Sequence, residues 1–491
     1  MIFEENIFGK MLGYGTIRIT TSSGEHVFHG VDHPVQLKGV IMSEIFTPDV
    51  FGILATITMV ITFADVFVES GFQKFLIQHN FSNIKEEYEY MSVAFWANLI
   101  FSFIIWGVLV IFNQTIARLV GNEGLGYLIV ITGMTIPLYG IIGIQGCKIK
   151  KELKFKKLFY VRFITSILPL FITVPLALLE FGYWALIIGC IIGSFIQSLL
   201  LFYVGKFLPI MFFSKQYLFH MLQFGIWTIL DGIAIWLTAW IDSFLIANYM
   251  SDYYLGLYKN TSSMIFSFFS IVTAAMIPVL FSALSRFQND QEMFNKTFLN
   301  TQNVLALALL PLGTILYFYR AFVTNILFGS AWMEAADIVG VMAITTVVRI
   351  LFVSIYSEVY RAKGKFYLPL IMQLVDLCVL VPICVISVKY GFWALVYARS
   401  FVRLDLIVPM LVVTNILCGI TPLNTIKNVL NPFIATVFMI ICILIMQSVY
   451  ESFLWSIISI FISASMYLLV LFFFKKERCM MLSMFGKFKY A

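Results

Sequence analysis

Charge is scarce in this 491-residue chain: Asp, Glu, Lys and Arg together make up 12%, about half of what a water-soluble globular protein carries, which excludes a soluble fold. Histidine is nearly absent at 5 residues, and the 7 cysteines are scattered with no C-x-x-C pair, so neither a metal centre nor a disulfide framework is indicated. The sequence also lacks a nucleophile with base and orienting partner, a phosphate-cradling glycine loop before a basic residue, and paired carboxylates outside the apolar blocks. With no loop longer than about twenty residues, an enzyme is not expected, and no cofactor or metal is implied.

What the chain has in excess is apolar and aromatic: 61% hydrophobic residues, with 50 Phe, 23 Tyr and 9 Trp. They fall into blocks about twenty residues long, the length a bilayer-spanning helix requires. Thirteen blocks are counted, near 50–68, 91–113, 125–147, 158–179, 183–204, 218–248, 262–284, 299–319, 335–358, 366–388, 392–416, 432–450 and 452–474. The expected fold is an all-α polytopic membrane protein. If the C-terminus is cytoplasmic, loops on its side hold 21 basic residues against 4 on the other, and that bias fixes the orientation. The net charge of +6 then needs no nucleic-acid partner.

The stretch Phe181-Gly182-Tyr183-Trp184-Ala185-Leu186 recurs 209 positions later as Tyr390-Gly391-Phe392-Trp393-Ala394-Leu395, and Lys154 and Lys156 map by the same offset onto Lys363 and Lys365. The chain reads as a duplication with parallel repeats, two pseudo-symmetric bundles of five and six helices followed by a terminal pair. The offset places the block at 218–248 opposite residues 9–39, which hold Arg18, Glu25, Asp32 and Lys38; burying those four charges in a bilayer would cost about 12 kcal/mol. That region reads instead as a hairpin, Thr16–Thr20 turning through Ser22-Ser23-Gly24 into Glu25–Phe28, then a short amphipathic helix over 31–40. The first repeat is therefore expected to lack its first helix. The expected organisation is a non-membrane segment at 1–45, bundles at 46–204 and 205–416, a terminal helix pair at 417–474 and a basic tail at 475–491.

Ionisable residues inside spans are costly and are functional candidates by default. Arg399 and Arg403 are four residues apart on one helix face, a rise of roughly 6 Å, able to hold two linked phosphates. Either they form an anion pocket or Asp376 and Asp405 neutralise them as structural pairs. Arg349, near mid-depth of another span, is the next cation candidate, whereas Arg162 near a span end snorkels. Asp65, Asp231, Asp242 and Asp376 are candidates for a coupling H⁺ or Na⁺ or for ion pairing. Asp231 and Asp242, eleven apart, share one helix stripe.

From about residue 46 the chain resembles the polysaccharide flippases of the multidrug/oligosaccharidyl-lipid/polysaccharide exporter superfamily, to which the MATE antiporters belong. The resemblance rests on an ordered set: Thr47-Pro48-Asp49-Val50-Phe51-Gly52, Glu69-Ser70-Gly71-Phe72, Phe95-Trp96-Ala97-Asn98, Lys151-Glu152-Leu153-Lys154-Phe155, Asp242, Leu255-Gly256-Leu257-Tyr258, Pro311-Leu312 and Leu327-Phe328-Gly329-Ser330-Ala331-Trp332. Members of that family have fourteen helices and cytoplasmic termini, so thirteen is a departure that falls where the repeat places it. Residues 8–37 resemble instead the end of a bacterial PH-like domain. The resemblance implies a flippase in the bacterial plasma membrane that carries an undecaprenyl-diphosphate-linked oligosaccharide between leaflets, with membrane lipid around it and a polysaccharide polymerase and glycosyltransferases as functional neighbours. The alternatives are a MATE-like antiporter of cations coupled to H⁺ or Na⁺, and an inactive remnant of a flippase.

Overall fold

The computed structural model describes residues 17–21, 24–28, 42–43, 45–68, 72–79, 81–152, 154–365, 367–450 and 452–486. Among them, thirteen helical segments are long and apolar enough to cross a bilayer, one for each block expected from the sequence. The first of them, Pro48–Val68, has 21 residues and so just spans the hydrocarbon. Ahead of the helices, β1 (Ile17–Thr21) pairs with β2 (Gly24–Phe28) as the hairpin that the sequence anticipates. The rest of the 8–37 fragment, including the amphipathic helix expected over 31–40, lies outside the described residues.

The helices divide into two compact units, Arg18–Asn260 with Cys384–Leu395, and Thr261–Ile383 with the chain from Val396 on. The first unit contains α1 (Pro48–Val68), α2 (Phe72–Gln78), α3 (Ile84–Ile111), α4 (Asn113–Leu119), α5 (Gly126–Gly133), α6 (Thr135–Lys151), α7 (Phe155–Leu178), α8 (Tyr183–Gly205) and α9 (Lys215–Tyr249). Two of these start on side-chain caps that take up orphan amides: Asn83 accepts from Glu86 N, and Ser214 from Tyr217 N. In lipid there is no hydrophobic drive between helices, so close approach depends on small residues. At Gly189 of α8 a Cβ would lie 2.1 Å from the Thr173 hydroxyl of α7, and at Gly205 one would lie 2.7 Å from Gln145 Oε1 of α6. Buried Ile57, Val60, Ile61 and Ala64 of α1 pack with Trp240 of α9 in the apolar centre of this unit.

α10 (Asp252–Arg286) begins in the first unit and continues into the second. The second unit adds α11 (Gln291–Phe318), α12 (Arg320–Phe328), α13 (Ala336–Arg349), α14 (Ile355–Ala362), α15 (Tyr367–Ser387), α16 (Phe392–Val402), α17 (Ile407–Cys418), α18 (Pro422–Val449), α19 (Phe453–Phe473) and the tail helix α20 (Lys475–Gly486); α15 and α16 also run partly through the first unit. α18 starts with Thr421 as cap and Pro422 in its first turn, where the missing N–H costs nothing. Tyr319, Met439, Tyr467 and Leu471 form the apolar cluster that holds the terminal pair, and the Tyr467 hydroxyl donates to the Leu307 carbonyl at 3.1 Å.

The 209-residue offset carries over to the helices. It maps α1 into the longer α10, and α3 onto α11, α4 onto α12, α7 onto α15 and the start of α8 onto the start of α16 to within a few residues. Gly182 and Gly391, equivalent by that offset, both adopt positive φ, +54° and +99°, as the tight turn before each tryptophan requires. The match is not exact in either copy: α1 and α2 both map into the continuous α10, and the junction of α5 and α6 maps inside α13, while two interruptions occur in the second copy alone. The continuous α6 corresponds to α13 and α14, which are separated by a π-helical turn at Ile350–Ser354. The continuous α8 corresponds to α16 and α17, separated by a turn at 403–406.

Candidate functional site

Both interruptions carry charge. Arg349 closes α13 immediately before the π turn, and Arg403 opens the break after α16, with Asp405 two residues on. The span expected across 392–416 is present as Phe392–Cys418 but turns within its length: beyond Val402 the chain tightens, with Leu404 N bonded to Phe401 O (3.0 Å) and Asp405 N to Val402 O (3.0 Å). Arg399 and Arg403 share a helix face only up to that point. A break at membrane depth needs internal partners for the carbonyls it frees, because lipid offers none. Arg349 supplies one, donating from Nη1 to the Arg403 carbonyl at 3.3 Å.

The same guanidinium meets Asp376 of α15, Nη2 to Oδ2 at 3.4 Å. Asp376 is fully buried and the Arg349 side chain is 23% exposed, so the carboxylate depends on the arginine more than the reverse. Arg403, 3% exposed, donates from Nη1 to the Thr346 hydroxyl at 3.3 Å and lies over the Phe266 ring of α10 at 4.3 Å. Cation–π contact of this kind holds a guanidinium where water cannot. Arg399 is buried one turn before the break, and Asp405, whose carboxylate oxygens are buried, lies within electrostatic reach of Arg349, Arg399 and Asp376. Among the described residues, three guanidiniums thus gather with two carboxylates. By the repeat offset the matching positions in the first copy are Gly140, Ile167, Cys190, Ser194 and Ile196, none of them charged.

An apolar cavity of about 520 Å³ borders the π turn, lined by Leu351 and Phe352 of that turn, Val347 and Val348 before it, and Leu310 and Phe433 from α11 and α18. The remaining acidic candidates belong to the first unit. Asp242 is 4% exposed and accepts from the Tyr258 hydroxyl at 2.8 Å and from Ser243 N at 2.6 Å. Asp65 is half-buried within electrostatic reach of Tyr139, whose hydroxyl accepts from Ser194 at 3.4 Å. Asp231 is half-buried on α9, eleven residues before Asp242. Asp376 is thus the only one of the four acidic candidates in the unit that holds the arginines.

A family described as polysaccharide biosynthesis protein matches residues 41–337, more than half of the chain. The chain belongs to that family. Among its relatives, the succinoglycan biosynthesis transport protein ExoT of Rhizobium meliloti (strain 1021) is 25% identical over 307 residues, 62% of this chain and 61% of that one. The teichuronic acid biosynthesis protein TuaB of Bacillus subtilis (strain 168) is 24% identical over 321 residues, 62% of each chain. The chain therefore spans less than two thirds of the length of these relatives. In fold it is similar to the lipid II flippase MurJ in an inward closed conformation, with a TM-score of 0.76 at 16% identity over 91% of this chain and 98% of that one. It is also similar to an inward-facing multidrug MATE transporter, with a TM-score of 0.64 at 13% identity over 79% and 96%.

Polar and aromatic residues around the interruptions are passed over by a search for ionisable groups. Thr346 and Phe266, which hold Arg403, and the amides Gln302 and Asn303, both fully buried in α11, belong to this set. A signal for the amides was available, since Gln302 and Asn303 fall inside the apolar block at 299–319, where uncharged polar side chains also demand partners.

Proposed function

We propose that this member of the polysaccharide biosynthesis family is a flippase for an undecaprenyl-diphosphate-linked oligosaccharide in the bacterial plasma membrane, feeding polysaccharide assembly alongside glycosyltransferases and a polymerase. The observation that carries the reading is the cluster of Arg349, Arg399 and Arg403 beside Asp376 and Asp405, at two helix interruptions peculiar to the second repeat. A diphosphate presents the negative charge and the multiple acceptor oxygens that guanidinium forks match. A charged headgroup cannot cross bare hydrocarbon, and a site whose arginines hold it while the sugars stay in water and the tail in lipid removes that barrier. The apolar cavity bordering the π turn offers room for part of a hydrocarbon tail.

Alternating access between the two repeats, within the bundles at 46–204 and 205–416, is the mode of action we assign. The C-terminus is placed in the cytoplasm by the bias of basic residues, and the segment at 1–45 is then exported. Replacing Arg399 and Arg403 together by Gln is expected to abolish complementation of a strain lacking its polysaccharide flippase while the protein remains in the membrane. Full complementation by that variant would refute the headgroup role. Transport of cationic dyes that depends on Asp65, Asp231 and Asp242 while the arginines are dispensable would favour an H⁺- or Na⁺-coupled antiporter.

A further inference from the structure

A π turn leaves backbone carbonyls out of register with the amides that would otherwise bond them. Gln302 of α11, fully buried, donates from Nε2 to the Leu351 carbonyl in that turn at 3.1 Å and reaches the Tyr356 hydroxyl just beyond it at 3.4 Å. Its Oε1 accepts from Asn428 Nδ2 at 3.2 Å, and the Asn428 amide also donates to Leu299 O at 2.7 Å. Asn428 Oδ1 in turn accepts from Lys476 Nζ of the tail helix at 2.7 Å. The neighbouring Glu477, fully buried, accepts two 3.1 Å bonds from Asn431 Nδ2 and fixes the tail helix against α18.

The direction of this chain is set by its ends. An ammonium has only donors and a backbone carbonyl only accepts, so Lys476 fixes which atom of Asn428 faces it. Asn428 then presents its amide hydrogens to Gln302, and Gln302 presents its own to Leu351. Removing the ammonium leaves the Leu299 carbonyl as the one fixed partner that orients Asn428, and so loosens the chain that ends on the Leu351 carbonyl. Loss of the extra residue of a π turn would turn the chain beyond it by about 100° relative to Arg349.

We infer that Gln302 is a positioning residue for Arg349 and that the tail acts on the π turn through Lys476 and Asn428, so that docking of α20 sets the geometry of the arginine site. This rests on the reading of Arg349 as a headgroup ligand, but its test does not. Hydrogen–deuterium exchange is measured on the full chain in lipid nanodiscs for peptides covering 346–356 and 84–111. Lys476→Ala, at an exposed position that the fold tolerates, is expected to raise exchange over 346–356 at least about threefold and leave 84–111 unmoved. Gln302→Met is expected to raise it more, the double variant no further than Gln302→Met alone, and Lys476→Arg to behave as the parent. Unchanged exchange over 346–356 in Lys476→Ala, effects that add in the double variant, or a rise throughout the protein would each overturn the relay. Export is assayed in parallel with Arg349→Gln. If that variant exports normally the headgroup reading falls, while the exchange data still decide the relay.

Discussion

Asp376 and Arg349 give the sharpest energetic test. Two unit charges 3.4 Å apart attract by about 5 kcal/mol at an effective dielectric constant near 20, before desolvation is subtracted. Asp376 is fully buried, so its desolvation offsets much of that attraction, whereas Arg349 keeps 23% of its side chain exposed and has the Arg403 carbonyl as a second acceptor. Removing Arg349 alone, as Arg349→Met, strands a buried carboxylate and is expected to cost about 3 kcal/mol. Removing Asp376 alone, as Asp376→Leu, leaves a guanidinium with a remaining partner and some exposure, and is expected to cost about 1.5 kcal/mol. With both replaced, no charge is stranded, and the cost should fall to about 1 kcal/mol or less. The coupling, the shortfall of the double variant from the two single effects together, is then about 3.5 kcal/mol. Thermal unfolding of the purified protein, followed by loss of the monodisperse peak on size exclusion, ranks the three variants. The double variant should regain stability yet stay inactive in export, which separates the scaffold role of the pair from the headgroup role of Arg349. A double variant as unstable as the two single losses added together would refute the pairing.

Gly189→Leu should lower the unfolding temperature by an amount equivalent to about 1–3 kcal/mol, because even a Cβ there meets the Thr173 hydroxyl at 2.1 Å. Gly193→Ala, four residues on, meets only Pro169 Cγ at 3.6 Å and should be neutral; equal effects at the two positions would contradict the packing of α7 on α8. Tyr258→Phe removes the buried hydrogen bond to Asp242 and should cost about 1–2 kcal/mol, read by the same unfolding assay; no loss would show that Ser243 suffices as a donor. A single cysteine placed at Ser23 in a background without the native cysteines should react with a membrane-impermeant maleimide on intact cells, and reaction only after lysis would place the N-terminal segment in the cytoplasm.

Hydropathy alone locates the thirteen spans because each is a long apolar block, and the repeat is legible because Gly182 and Gly391 mark the same turn in both copies. The two helix interruptions are not legible by that route. Residues 350–354, Ile-Leu-Phe-Val-Ser, contain neither Pro nor Gly, so nothing local announces a π turn there. The break at 403–406 does carry a local cue: Pro409 lacks the N–H that would bond the Asp405 carbonyl, and its ring clashes there. Tertiary partners then take up freed carbonyls at both, Arg349 that of Arg403 and Gln302 that of Leu351. The sequence offers Asp376 and Asp405 as partners of Arg399 and Arg403, but only packing shows that Asp376 meets Arg349.

The asymmetry between the repeats bears on where function lies. A duplicated bundle begins with two equal copies of every position, so a feature present in one copy only has been gained there or lost from the other. Here the interruption of α13 and α14, the interruption of α16 and α17, and five charges on three spans all fall in the second copy, against Gly140, Ile167, Cys190, Ser194 and Ile196 in the first. Stability does not explain the set. Uninterrupted helices with small apolar residues satisfy the backbone by themselves, as α6 and α8 do, whereas buried charges must be matched partner by partner. Each element of the second-copy site has a cost in lipid that the first copy avoids, and the elements support one another: the π turn displaces Arg349, Arg349 takes up the carbonyl that the break frees, and Asp376 holds the guanidinium between them. A set of interdependent costs confined to one repeat is what a binding site superimposed on a structural scaffold looks like.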